Sequence, residues 1–194
     1  MRIGDISVSP GFLLLTAWLN LMDEHGVVGL GLLCCAAHES GHLTVLNLLG
    51  NGVKSFNITI FGAEILPKKQ LSYRQELAAA FAGPAVNLIL AGILCWIPGG
   101  EIWAGINFIL GIFNLLPFGQ MDGGRCLCCL TSILFGPGTG ERLIVILSSI
   151  VGMTAAAAGI LLWRAGGSLT LLFMSLWLLS GISKKGDLYR KRRK

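Results

Sequence analysis

The residues of this sequence best suited to chemistry are His38, Glu39 and His42, which form an H-E-x-x-H motif inside a long apolar run. In an α-helix, side chains four residues apart project from the same face, so the two imidazoles can hold one metal ion with the carboxylate beside them. That arrangement is typical of a zinc hydrolase. The alternative is a chance pentapeptide with two hydrogen-bonded core histidines, but ionisable side chains are costly in an apolar environment and are functional candidates there.

The composition predicts a membrane protein. Of the 194 residues, 54% are hydrophobic and only 13% are charged, whereas charged residues make up about a quarter of an ordinary soluble domain. We therefore expect an all-α polytopic membrane protein with about six transmembrane helices and one membrane-embedded domain over residues 1–194. Four or five complete crossings are the alternative, because two apolar segments are short and one is too long. The segments are 8–22, 26–49, 75–97, 102–134, 142–163 and 168–183.

Basic residues predict how the chain is oriented. If six segments cross the bilayer, the basic residues of the alternate connections and of both termini fall on one side. Positively charged flanks stay in the cytoplasm, so both termini and the opening of the site are expected there. The basic tail at 184–194 should contact anionic lipid, and no nucleic-acid-binding surface accompanies it. The basic residues are Arg2, Lys54, Lys68, Lys69, Arg74 and Arg142, together with those of the tail.

A small membrane-associated β-hairpin is expected between the second and third apolar segments. Residues 53–61 alternate apolar and polar side chains, which is the two-residue period of a strand, and 64–66 can form a short returning strand. An exposed edge near Ile60, Phe61 and Gly62 could bind an extended substrate peptide by strand addition. An ordinary surface hairpin is the alternative.

Two further stretches carry polar residues inside apolar segments. The third segment opens with a capping box of Ser72 and Gln75 and contains Asn87, whose buried amide should bond to another helix. The fourth segment should unwind around Asp122, because proline and glycine at 117, 119, 123 and 124 cannot sustain a regular helix. Asn87 and Asn114 are candidates to bind the substrate or to stabilise an oxyanion.

The third metal ligand follows by elimination. A catalytic zinc ion usually takes three protein ligands and one water. His25 lies about 20 Å along the helix from the motif and is too far away. Glu39 and Asp122 are the carboxylates that do not fall at a predicted span end or in a connection. Asp122 is therefore expected to complete a site for one Zn²⁺ ion, which leaves Glu39 as the general base.

Four motifs in this order resemble the site-2 proteases, a family of intramembrane zinc metalloproteases, and within it the sporulation type, stage IV sporulation protein FB. By this resemblance His38, His42 and Asp122 would be the zinc ligands and Glu39 the catalytic base. The motifs are His38-Glu39-Ser40-Gly41-His42, the stretch from Val53 to Gly62, Ala82-Gly83-Pro84 with Asn87, and Asn114-Leu115-Leu116-Pro117 followed by Asp122-Gly123-Gly124.

The resemblance implies regulated intramembrane proteolysis in a bacterial cytoplasmic membrane. The substrate would be a membrane-embedded or membrane-associated regulator, with a pro-sigma factor as the substrate of the sporulation type, and a regulatory membrane partner could accompany it. The sequence departs from the family at Gly119-Gln120, where these proteins commonly have proline. No PDZ-like or CBS domain follows the spans, so control by such a domain is not expected.

Two other functions compete with proteolysis. One is a catalytically inactive membrane binding protein of the same fold, and the other is a metal-ion transporter that uses the same histidines. The presence of Glu39 argues against the first. A transporter should have ionisable residues along a path through the membrane, whereas this sequence places one tight cluster at depth.

Overall fold

The computed structural model describes residues 3–60, 62–170, 172, 173 and 175. Phe61, most of the predicted last span at 168–183 and the basic tail at 184–194 lie outside the described residues. The chain divides into two compact units, Met1–Phe113 and Asn114–Lys194, and each is described by itself below. The expectation of a single membrane-embedded domain stays a prediction.

The first unit contains a three-stranded sheet. Its strands are β1 (Ile3–Val8), β2 (Val53–Thr59) and β3 (Gly62–Pro67), in the order β1-β2-β3. β2 and β3 are antiparallel and form the predicted hairpin, whereas β1 pairs parallel to β2. The prediction of a two-stranded hairpin was therefore incomplete, because one edge of β2 is already occupied. Within the described residues, the open edges belong to β1 and β3.

The first helix, α1 (Pro10–Met22), is too short for the predicted first span. Ser9 sets its start: the N–H of Ser9 donates to the carbonyl of Ile58 in β2 at 2.8 Å, and its Oγ accepts from the N–H of Phe12 at 3.2 Å. Pro10 then occupies the first turn, where a missing N–H costs nothing. Thirteen residues of helix measure about 20 Å, against about 30 Å of bilayer hydrocarbon.

Three longer elements complete the first unit: α2 (Val27–Leu48), α3 (Tyr73–Leu94) and α4 (Glu101–Asn114). A carboxylate oxygen of Asp23 accepts from the N–H of Val28 at 2.6 Å and so caps the start of α2. This bond lowers the pKa of Asp23 below its usual value. α3 begins with the predicted capping box of Ser72 and Gln75.

Close packing of α2 against α3 and the sheet brings the motif against its partners. Leu46 of α2, Val53 of β2 and Ala79 of α3 form the buried core of this region. A β-carbon on Gly41 would lie 2.7 Å from the carbonyl oxygen of Ala82, so glycine is required for the two helices to approach this closely. The approach places the histidines of α2 against the backbone of α3.

The second unit contains α5 (Asp122–Phe135) and α6 (Thr139–Arg164). The predicted break in the fourth segment is confirmed, since α4 ends at Asn114 and α5 begins at Asp122. Across the break, the chain folds back onto the first turn of α5: β-carbons on Gly123 and Gly124 would collide with the carbonyl oxygens of Leu115 and Phe118. The D-G-G sequence therefore permits the backbone to pass directly over the start of α5.

Two helices of the described chain are long and apolar enough to cross a membrane, namely α3 and α6. α2 has the required length, but the polar H-E-x-x-H motif lowers the hydropathy of its middle. α1 and α4 are apolar and shorter than 18 residues. The expected six crossings are therefore not confirmed, although a mostly helical architecture with a small sheet is.

Candidate metal centre

His38 and His42 are buried side by side on α2. Their rings are nearly perpendicular, at 81°, with centroids 4.8 Å apart. The two Nε2 atoms face each other at 3.1 Å. Each ring can carry a proton on either nitrogen, so the chemistry of this pair depends on what the two Nδ1 atoms contact.

The Nδ1 atom of His42 lies 2.7 Å from the carbonyl oxygen of Ala79 on α3. A carbonyl oxygen can only accept a hydrogen bond, so Nδ1 must donate. In the neutral imidazole the proton is then on Nδ1, and Nε2 presents a bare lone pair to the interior.

The neutral ring of His38 also carries its proton on Nδ1, because this atom contacts a side-chain amide. Its Nδ1 atom lies 2.5 Å from Oδ1 of Asn87, whose Nδ2 donates to the carbonyl oxygen of Cys34 at 3.2 Å and to Oδ1 of Asn107 at 2.7 Å. Because the Cys34 carbonyl can only accept, it favours the orientation in which the Asn87 oxygen faces His38. His38 therefore donates from Nδ1 and also leaves its Nε2 bare. The prediction that Asn87 bonds to other helices is confirmed.

Two bare nitrogen lone pairs at 3.1 Å repel each other unless a cation lies between them. Two nitrogens that bind one tetrahedral zinc ion at about 2.0–2.1 Å are about 3.3 Å apart, so the observed separation fits a shared metal ion. Gly83 of α3 keeps the space beside them open, because a β-carbon there would collide with Nε2 of His42 and lie 2.7 Å from Nε2 of His38. The histidine pair thus fits a metal ion in its donor atoms, spacing and free volume.

Asp122 is buried and is the first residue of α5. Its carboxylate lies at the positive end of the helix dipole, and Nη1 of Arg125 lies 3.3 Å from its Oδ1. A buried carboxylate is a ligand type that zinc accepts beside histidines, so His38, His42 and Asp122 are the candidate ligands for a metal ion.

Comparison with known proteins places the sequence near zinc metalloproteases, although no family model matches it. A protein of Synechocystis that carries the provisional name of a zinc metalloprotease is 38% identical over 103 residues, or 47% of this chain and 27% of that protein. Rip3 of Mycobacterium tuberculosis, named provisionally in the same way, is 29% identical over 163 residues, or 73% of this chain and 39% of that protein. A zinc metalloprotease of Methanocaldococcus jannaschii is 24% identical over 159 residues. The chain spans 27% to 45% of the length of these relatives.

The solved structure of a site-2 protease from Methanocaldococcus jannaschii superposes on this chain with a TM-score of 0.70. The alignment covers 95% of this chain and 92% of that one, at 22% sequence identity. The fold is that of a site-2 protease. The comparisons do not support the narrower resemblance to the sporulation type.

The other predicted residues occupy varied places in this site-2 protease fold. Glu39 is half-buried on α2, next to His38, and Asn114 is half-buried at the end of α4. At the tip of the hairpin, the side chain of Ile60 is 48% exposed, and Gly62 is exposed with a φ of 120° that favours glycine. Phe61 lies outside the described residues.

Sequence reasoning missed two groups that orient the histidines, namely Asn107 and the carbonyl of Ala79. A lone asparagine within the apolar run of α4 is a detectable signal, because a buried amide must find partners. The Ala79 carbonyl has no signature in the sequence, since every residue has one. Gly83 belongs to one of the motifs, and the structure adds the reason that a side chain there would collide with both histidine rings.

Proposed function

We propose that this chain is an intramembrane zinc endopeptidase. The observation that carries the proposal is the pair of Nε2 atoms that face each other at 3.1 Å, each on a ring whose Nδ1 atom contacts a hydrogen-bond acceptor on α3. Support also comes from the fold, which matches a site-2 protease, and from relatives named as zinc metalloproteases.

The ligands in this proposal are His38, His42 and Asp122. A zinc ion held by them supplies Lewis acidity, which polarises the peptide carbonyl and lowers the pKa of water towards neutrality. Glu39 follows His38 in the helix and acts as the general base: it takes a proton from the attacking water and returns it to the leaving amine. Nη1 of Arg125 contacts the carboxylate of Asp122 at 3.3 Å and helps to orient it for its role as a ligand.

The substrate segment must be extended where it is cut, because a helix keeps its carbonyls in internal hydrogen bonds. The open edge of β3 and the hairpin tip at Ile60, Phe61 and Gly62 are proposed to bind it by strand addition. We assign the oxyanion or backbone contact to Asn114. The amide of Asn87 bonds to His38, Cys34 and Asn107, so Asn87 is better suited to positioning than to binding the substrate.

A membrane location is supported by α3 and α6. We propose that the termini and the site opening face the cytoplasm of a bacterial cell, because Lys54, Lys68, Lys69 and Arg74 cluster in the connection that holds the hairpin. The substrate class is then a membrane-embedded or membrane-associated regulatory protein. A pro-sigma factor is one member of that class, proposed from the resemblance alone.

The competing functions have weaker support. An inactive binding protein has no need of a glutamate beside the metal ligands, and Glu39 is present. A transporter needs ionisable groups along a path through the membrane. The buried histidine and carboxylate side chains of the described residues are His38, His42, Glu76 and Asp122, and three of these four are the proposed metal ligands.

Glu39→Gln is the decisive variant, because it removes the base and keeps the size and polarity of the side chain. The purified protein is reconstituted with a pooled library of single-span membrane peptides, and the products are identified by mass spectrometry. We expect cleavage to fall about 10²-fold to 10⁴-fold, while the zinc content, measured by elemental analysis, stays at that of the unmodified protein.

Glu101→Gln is the matched control, since Glu101 is an exposed glutamate at the start of α4. It should cleave the same peptides at the normal rate. Undiminished cleavage by Glu39→Gln would contradict the mechanism, and zinc binding with no cleavage by any form would favour the binding protein.

A further inference from the structure

We infer that Asn107 of α4 is a positioning residue that sets the tautomer of His38 through Asn87. Asn107 belongs to none of the sequence motifs, and the hydrogen-bond chain connects it to the imidazole only through the second amide. The inference rests on the proposed function in that the imidazole is taken to bind a metal ion.

The chain of bonds begins at a backbone carbonyl. Asn107 is 1% exposed, and its Nδ2 donates to the carbonyl oxygen of Trp103 at 2.9 Å and to Sγ of Cys34 at 3.1 Å. The Trp103 carbonyl cannot donate, so the amide nitrogen of Asn107 must face it. The Oδ1 atom of Asn107 therefore faces the other way, towards Asn87.

The second bond transmits this orientation. Nδ2 of Asn87 donates to Oδ1 of Asn107 at 2.7 Å and to the Cys34 carbonyl at the longer distance of 3.2 Å. Asn87 is completely buried, so water cannot replace either partner. Because both acceptors contact the amide nitrogen of Asn87, its amide oxygen faces His38.

The opposite orientation of Asn87 would weaken metal binding. Its amide nitrogen would then face Nδ1 of His38, and Nδ1 would have to accept instead of donate. The proton of the neutral ring would move to Nε2, the atom that faces His42. A protonated Nε2 has no lone pair for a metal ion, so the two amides hold the histidine ready to bind one.

The experiment uses the full chain in detergent micelles and two readouts. Zinc affinity is measured by competition with a fluorescent chelator, and the ring tautomer of metal-free protein is read by ¹⁵N NMR of the histidine side chains at mildly alkaline pH. The proton of His38 should be on Nδ1. If NMR of the unmodified protein instead shows the proton on Nε2, that result alone overturns the inference.

Three variants measure the effect on zinc affinity. Asn87→Leu should weaken binding about 10-fold to 100-fold, as is usual when a partner of a ligand is lost. Asn107→Leu should weaken it about 3-fold to 10-fold, because the Cys34 carbonyl still holds Asn87. Asn51→Leu is the control: Asn51 is also a buried amide, but it bonds to the backbone of Lys69, so zinc affinity should not change.

The Asn87→Asp background separates orientation from a general structural role. A carboxylate has two equivalent oxygens and has no flipped state to exclude. In this background the carboxylate still accepts from Nδ1 of His38, so zinc binding should persist. Adding Asn107→Leu should not weaken it further, because that change removes an amide oxygen that faces the carboxylate. An equal loss in both backgrounds would show that Asn107 acts only through stability, and would overturn the inference; Asn107→Ala repeats the comparison if the leucine variant does not fold.

Failure of the inference can be told apart from failure of the proposed function. If the unmodified protein binds no zinc, the proposed function fails, and the NMR tautomer still decides the inference. If it binds zinc and Asn107→Leu leaves both affinity and tautomer unchanged, the inference alone fails.

Discussion

The histidine pair and Asp122 are held in place by different means. His38 and His42 lie in the middle of an unbroken helix, and each ring is fixed by a hydrogen bond to α3. Asp122 lies at a helix start, where the preceding backbone folds over two glycines and Arg125 contacts the carboxylate. Orientation is therefore set by side-chain hydrogen bonds around the histidines and by backbone packing around the aspartate.

This difference predicts different sensitivities to mutation. A substitution near the histidines can move a proton from one ring nitrogen to the other, or fill the space beside the two Nε2 atoms, while the helix remains intact. Around Asp122, a change must move the backbone, because the glycines contact main-chain carbonyls that cannot rotate away. Three substitutions test this contrast, each with a control in the same region.

The largest effect is expected from Gly83→Ala. The added methyl group would occupy the space beside both Nε2 atoms, so zinc affinity should fall by at least about 100-fold. Gly92→Ala is the control, because a β-carbon at Gly92 of the same helix meets nothing within 4 Å. Chelator competition measures both variants. Equal zinc affinity in the two would show that the metal does not lie beside Gly83.

Gly124→Ala should have the next largest effect. Its β-carbon would collide with the carbonyl oxygen of Phe118, so the first turn of α5 must move and carry Asp122 with it. We expect zinc affinity to fall about 10-fold to 100-fold, together with a lower melting temperature. Gly119→Ala lies in the same segment and would place its β-carbon 3.8 Å from Oγ of Ser148, an ordinary contact. If Gly119→Ala is equally harmful, the break is sensitive throughout and the contact at Gly124 is not special.

The smallest effect is expected from Ser148→Ala. The N–H of Gly119 donates to Oγ of this buried serine on α6 at 3.0 Å, which ties the break to a neighbouring helix. Loss of the acceptor should cost about 1–3 kcal/mol of stability and change zinc affinity by less than about 10-fold. Thermal unfolding in detergent measures the cost, with Ser149→Ala as the adjacent control. A larger loss of zinc affinity than that of Gly124→Ala would reverse the expected order.

Much of the local structure could be predicted from the sequence. The break before Asp122, the capping box at Ser72 and the hairpin all follow from residue types at fixed spacings, and the structure contains each of them. The roles of Glu39 and the three metal ligands stay predictions.

The errors of the sequence predictions concern the pairing of one strand and the length of one helix. β1 was missed because its six residues lie beside an apolar run that resembles the start of a span, and its partner strand is about 50 residues away along the chain. The segment predicted at 8–22 is the 13-residue helix α1, which is too short for a complete crossing, and hydropathy does not show that a strand precedes it. Neither error could be corrected from composition alone.

The sequence by itself identified two histidines as candidate metal ligands, because the backbone geometry of a helix places side chains four apart on one face. Only the tertiary structure decided the proton positions that permit binding. The groups that orient His38 and His42 lie 49 and 37 residues away in the chain, and one of them is a backbone carbonyl that has no signature in the sequence. Hydrogen-bond direction depends on which acceptor the packed helices bring near, and a spacing rule within one helix carries no information about that.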